Sequence, residues 1–235
     1  MTAALESESS PSLFGVYFFA VWMALIGAIL GFVYLATFPA ESYASLRHYE
    51  RALATVAKAG ETKFAKPGDA YYISGPFSET RSWEAKRELL NTPGPQTVRL
   101  SVGEINTWAA ARFRGTESTA DAGKSNFLIV PGVPNMAIVS GHGLYLNLPL
   151  SISFFGEPQQ HVLTAIGDVG PDGYQVHSLS LGNARLPAPD ILGAQILGAL
   201  WQAFQSTEEY AILSQAFERA TAVELEGQAV VFTLR

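Results

Sequence analysis

LFGVYFFAVWMALIGAILGFVYLATF, residues Leu13 to Phe38, contains no charged side chain. At the helical rise this run spans about 39 Å, enough to cross a hydrocarbon core of about 30 Å with some tilt. A helix of this length buried in a soluble core would carry a polar stripe, and none is visible. Tyr17 and Tyr34 stand near its ends, where amphipathic aromatics suit a membrane interface. The stretch reads as one transmembrane helix, 13–38, behind a polar tail, 1–12.

A cleavable signal peptide is the competing reading. It would carry a basic n-region and a shorter apolar core ending in small residues. The tail MTAALESESSPS holds Glu6 and Glu8 with no Lys or Arg, and the apolar run is too long. The helix is therefore expected to stay attached as a signal anchor, with the lipid bilayer as its first partner. Ala20, Ala24, Gly27, Ala28 and Gly31 place small residues at four-residue spacing. Such a face lets a second helix approach closely, so a partner membrane protein is expected there. Small residues are also common in membrane helices of any kind.

Two arguments on orientation disagree. Near the helix ends, Arg47, Arg51 and Lys58 follow the span and no base precedes it, which favours a cytoplasmic domain. A β-rich domain behind a signal anchor is more often exported. The expectation taken forward is the outer face.

Composition narrows the function classes. A formal charge of −6 argues against nucleic acid as a partner. The positions from 47 to 124 hold 12 of the 15 Lys and Arg, interleaved with acids, as in a solvated surface. With no cysteine, disulfides, thiolate catalysis and zinc–sulfur sites are all excluded.

Beyond the anchor the pattern is α+β. Residues 39–95 read as a juxtamembrane helical segment and linker: a helix opening at Phe38-Pro39-Ala40-Glu41, then Gly and Pro punctuation, then a helix over Thr80 to Asn91. Residues 96–235 read as the main domain. Ser101-Val102-Gly103-Glu104 is a capping box, opening a helix whose apolar face holds Ile105, Trp108, Ala109 and Phe113. From Leu144 to Phe154 apolar and polar residues alternate, which predicts a strand buried on one face. Pro149 inside it predicts a sheet edge or a bulge. Gly170-Pro171-Asp172-Gly173 joins two further strands as a hairpin, placing His177 opposite Ile166. A broadly apolar helix from Asp190, a second capping box at Ser206 to Glu209 and a closing hairpin complete the order. The expectation is a curved antiparallel meander packed on helices.

No nucleophile elbow, phosphate loop, metalloprotease helix or dinucleotide fingerprint is present. His161 and His177 are predicted about 15 Å apart along the hairpin, too far to share a metal. Glu208 and Glu209 read as first-turn acids favoured by the helix dipole. No catalytic residue, metal ligand or cofactor is therefore expected. Ile105, Trp108, Leu197, Trp201 and Phe204 are candidates for an apolar groove, with core packing as the alternative.

The run Leu100-Ser101-Val102-Gly103-Glu104-Ile105-Asn106-Thr107-Trp108 resembles the Leu-Thr-x-x-Glu-Leu-Asn-x-Leu helix start of YpmS-like and YceB-like membrane-anchored domains. Leu181-Gly182-Asn183 with Leu186-Pro187, then helices and a closing hairpin, is similar to their C-terminal half. Together these cover about residues 96–235. The resemblance implies a relative of tubular lipid-binding folds: a curved antiparallel sheet over long helices, sometimes enclosing an apolar groove, without catalytic residues. The function expected from all this is a non-enzymatic envelope protein whose domain binds an apolar ligand or a partner protein. An accessory subunit of a larger membrane complex is the second expectation, and a hydrolase without a local motif the third.

Overall fold

The computed structural model of the chain describes residues 13–38, 40–58, 71–113, 127–154, 158–170, 173–203, 205 and 207–235. The small, polar stretch 115–126, which reads as a loop in the sequence, the turn residues Pro171 and Asp172, Phe204 and Ser206 lie outside them.

Helix α1, Leu13–Thr37, is the one described helix long and apolar enough to cross a membrane. Residues 13–31 are all exposed, and in the last turns, where the helix meets the domain, Ala36 is buried. An apolar helix exposed all round is unstable in water and is stable in lipid, where its backbone bonds are satisfied internally.

The remainder is mixed helix and strand, with antiparallel sheets and no closed barrel among the described residues. Strand β1, Glu41–Tyr43, pairs in parallel with β2, Tyr71–Ile73. This corrects the start, expected at Phe38 to Glu41, of the helix that follows the anchor. Glu41 is extended, and helix α2, Leu46–Lys58, starts only after Ser45, whose side chain and carbonyl both accept from the His48 N–H. Tyr49 of α2 stacks on Tyr71 at 3.8 Å between ring centroids. Helix α3, Ser82–Asn91, and strand β3, Gln96–Ser101, follow, then α4, Val102–Arg112.

Two strands, β4 (Phe127–Pro131) and β5 (Asn135–Val139), lie end to end along one side of the long β6, Gly143–Phe154. Strand β7, Gln159–Gly170, flanks the other side, followed by β8, Gly173–Leu181, and the short β9, Ala184–Arg185. So β6 is an interior strand: of the edge or bulge expected from Pro149, the edge is excluded, and the proline sits where the neighbouring ladder is interrupted. Proline is tolerated because neither β4 nor β5 has a residue paired with it. Its carbonyl accepts from the Gly132 N–H at 2.7 Å, between the two short strands. Within a strand, N–H and C=O of one residue point to the same neighbour. The missing donor therefore faces the break in the ladder.

The β7–β8 pairing runs as predicted from Gly170↔Gly173 to Gly167↔Val176, and then a bulge shifts it. His177 becomes the extra residue and Ile166 faces Ser178. Gly167 is required there, since a Cβ would sit 1.9 Å from the Gln175 carbonyl oxygen.

Helix α5, Pro189–Ala203, packs on β8, and α6, Glu208–Arg219, leads into β10, Ala220–Glu226, and β11, Ala229–Leu234. The closing hairpin does not extend the meander. It pairs with β3 to form a separate sheet ordered β10-β11-β3.

Three apolar clusters result. The largest joins α3, α4, α6 and the three-stranded sheet around Trp83, Leu90, Val98, Leu100, Trp108 and Phe232. A second lies between the meander and α5, around Leu148, Leu150, Leu163 and Leu179. The third packs Ile73, Ala137, Val139 and Tyr145, with Tyr43, Leu46 and Tyr71 against them. The stretch read as juxtamembrane helix and linker thus supplies Ile73, Trp83 and Leu90 to the core. The same packing explains why β6 is not half-buried throughout. Tyr145 and Asn147, on its polar face, are covered, and the Asn147 amide donates to the Ile73 carbonyl at 2.8 Å.

Candidate functional site

The polar residues of the Leu100 to Trp108 motif each have a partner in the fold. Ser101 caps α4 and Glu104 closes the capping box. Glu104 also reaches outside its helix, accepting from Ser82 Oγ at 2.6 Å and Lys86 Nζ at 2.7 Å. Burial works against its charge, but the donors from Lys86, Ser82 and Ser101 outweigh it and hold the carboxyl down at about 2. A carboxylate held this far below its ordinary range is a structural anion and a poor proton shuttle at neutral pH.

Asn106 is fully buried and clamps two backbone segments. Its amide donates to the carbonyls of Pro76 and Met136, and its oxygen accepts from the Met136 N–H. Thr107 bonds both N–H and C=O of Ser78, while Asn135 bonds both backbone groups of Gly75. The loop after β2 is therefore tied on either side of Phe77. Phe77 is 58% exposed at the tip, more than any other Phe, Tyr or Trp outside α1 among the described residues. Nothing in the sequence marked this position: a single Phe between Pro and Ser has no periodic signal.

A second polar cluster sits where α3, α4 and α6 meet. Glu209 accepts from Arg87 Nε at 2.9 Å, from Arg87 Nη2 at 3.1 Å and from Trp108 Nε1 at 2.8 Å. Arg112 approaches the same carboxylate at 3.6 Å, and Glu208 takes Arg87 Nη2 at 2.8 Å. The bonds to Glu209 raise the proton affinity of the guanidinium further, against the opposing effect of burial. Glu208 is held below its ordinary range by its bond to Arg87. Glu209 is thus more than a first-turn acid. It is a buried partner of Arg87, and the cap of α6 is Thr207, whose side chain accepts from the Tyr210 N–H. Beside this cluster lies an open cleft of about 410 Å³ lined by Trp83, Arg87, Glu88 and Arg112 among others.

The proposed groove residues divide. Trp108 is buried in the largest cluster, stacked on Trp83 at 6.3 Å, with Ile105 packed beside it. Leu197 packs on the second cluster under α5. The Trp201 side chain and Phe204 lie outside the described residues. Among those described, the set does not converge on one space.

On α1, Gly27 and Gly31 have open space where a Cβ would be, and Ala20 and Ala24 are exposed. At its other end α1 meets the domain directly. The ring Nδ1 of buried His161 lies 2.8 Å from the Ala36 carbonyl oxygen, and the Asn183 N–H donates to the Phe38 carbonyl at 3.2 Å. Between them Gly182, at φ +54°, passes so close that a Cβ would sit 2.6 Å from the Phe38 oxygen and 2.8 Å from that of Ala36. Of the carbonyls that a helix leaves unpaired at its C-terminus, that of Ala36 is met by His161, and the Phe38 carbonyl just beyond the helix is met by Asn183.

His177 bonds exposed Asp168 at 2.8 Å, while His48 and His142 are exposed. No group of three His, Asp or Glu side chains among the described residues is arranged to hold a metal ion. No family model, no curated protein and no solved structure matches the chain.

Proposed function

We propose that this chain is a non-enzymatic, single-pass envelope protein, anchored by α1, whose α+β domain works by binding a partner protein. The observation that carries the reading is the loop bearing Phe77. Its backbone is tied by Asn106, Thr107 and Asn135 while its aromatic side chain faces solvent. Exposing a large aromatic on a backbone with little freedom lowers the ordering cost of binding, and aromatics are over-represented among residues that dominate interface energetics. The partner-protein arm is favoured over the apolar-ligand arm because Trp108 and Leu197 pack in different clusters. The domain is placed on the outer face, the side implied by the resemblance to exported membrane-anchored domains.

The test is site-specific photo-crosslinking in native membranes, with the crosslinker at Phe77 and, as a control, at exposed Glu224. A discrete heterologous adduct at position 77 alone, absent when an excess of crosslinker-free chain competes but retained when the competitor carries Phe77→Ala, is the expected result. Identical adduct patterns at both positions would overturn the assignment. The second reading, an accessory subunit packing through α1, is supported by the open face at Ala20, Ala24, Gly27 and Gly31. It predicts that Gly27→Leu with Gly31→Leu reduces crosslinking within the membrane without impairing insertion.

A further inference from the structure

The junction between α1 and the domain has no slack. The apolar run ends at Phe38, and Ala36 and Phe38 are already bonded to His161 and Asn183. A flexible stalk would leave the terminal carbonyls to water and the two bodies free to separate. Here both carbonyls are used, and Gly182 admits no side chain between helix and sheet. At 1.5 Å per residue the 25 residues of α1 span about 37 Å, little more than the hydrocarbon core of about 30 Å. Whatever touches the last turn of α1 must then lie in the headgroup layer.

What touches it is the start of β7 and the β8–β9 turn. Among the described residues, the exposed side chains on the start of β7 and on β9 are Gln159, Gln160 and Arg185. They are polar groups able to bond phosphate and glycerol oxygens, with one guanidinium and no acid among them. We infer that this edge of the domain is a lipid-contact surface, seated on phospholipid headgroups by the His161–Gly182–Asn183 joint, with Arg185 favouring anionic lipid. The inference rests on the reading of α1 as a membrane span.

The absence of cysteine makes a direct test available, because one introduced Cys carries one label. The full chain is reconstituted in vesicles of equal parts phosphatidylcholine and phosphatidylglycerol, with an environment-sensitive dye at Gln160→Cys, Arg185→Cys or His142→Cys. His142 lies beyond the opposite end of β6 from the residue, Leu150, that pairs with His161. Carbonate-resistant vesicle association is measured first, then quenching by a spin label on the lipid headgroup. The expected result is quenching several-fold stronger at 160 and 185 than at 142, with the difference reduced when His161→Ala is added to the Gln160→Cys chain. A carbonate-resistant protein with equal quenching at all three positions overturns the seating while leaving the anchor intact. A protein released by carbonate overturns the anchor itself, and the seating with it.

Discussion

Glu104→Gln removes a single charge from a site where four donors converge, and its effect should depend on pH in a defined direction. The carboxyl falls from an ordinary value of 4.5 to about 2 in the folded chain. At 1.36 kcal/mol per unit, that difference corresponds to at most about 3 kcal/mol of folding stability, less to the extent that solvent screens the site. The sign follows from linkage. A depressed folded-state value means the unfolded chain binds the proton more readily, so the stabilisation is complete above about pH 4.5 and is lost as pH falls toward about pH 2. The variant has no such group to titrate. Urea unfolding of both proteins in mild detergent, read from the near-ultraviolet circular dichroism of the stacked Trp83 and Trp108, gives their stabilities across the range. Wild type should be more stable by up to about 3 kcal/mol at neutral pH. The two curves should close toward each other below about pH 4. A gap that stays constant down to about pH 2 would refute the argument, because it would place the stabilisation in the shape of the side chain and not in its charge.

Two further pairs of variants test the packing. Leu148→Asp puts an unpaired charge into the cluster between the meander and α5 and should cost several kcal/mol in urea unfolding, whereas half-buried Ser151→Asp should be mild. Equal costs would refute the assignment of faces on β6. Arg87→Met should destabilise by roughly 3–5 kcal/mol because Glu209 is left buried without its main partner, and Arg87→Met with Glu209→Met should recover most of that loss. A double variant as unstable as the single would show that the cost lies in shape rather than in the stranded charge.

Periodic features were legible in the sequence because each is written locally. An uncharged apolar run, an alternating strand, a Ser-x-x-Glu box and a Gly-Pro-Asp-Gly turn all report on neighbours within a few residues. Glu209 is in the first turn of α6 as expected, but its buried partner was not legible, for the opposite reason. Its partner Arg87 is 122 positions away, and a first-turn acid looks the same whether it faces solvent or a buried guanidinium. Strand β1 is three residues long and pairs with a strand equally short, so neither leaves a periodic trace. Pro149 predicts an edge or a bulge, and the edge fails because the sequence cannot show that the neighbouring strand is split in two at that level. The motif from Leu100 to Trp108 looked like a signature and proved to be one of assembly, since Glu104 and Asn106 fasten α4 to α3, β5 and the Phe77 loop. The Phe77 loop itself was invisible, its rigidity coming from side chains 29 to 60 positions downstream.

The pairing of β3 with β11 sets a constraint on how the protein is made. The apolar residues of β3, Val98 and Leu100, wait for partners at Phe232 and Val230. Of the described elements β11 leaves the ribosome last, yet it is the central strand of its sheet. Throughout synthesis α1 would already be in the bilayer while the largest cluster lacked its floor. The nascent domain would remain an incomplete, sticky intermediate at the membrane surface until its final strand arrived. A premature stop that removes only β11 would then be far more damaging than its length suggests, turning a membrane-tethered chain into a substrate for quality-control proteases.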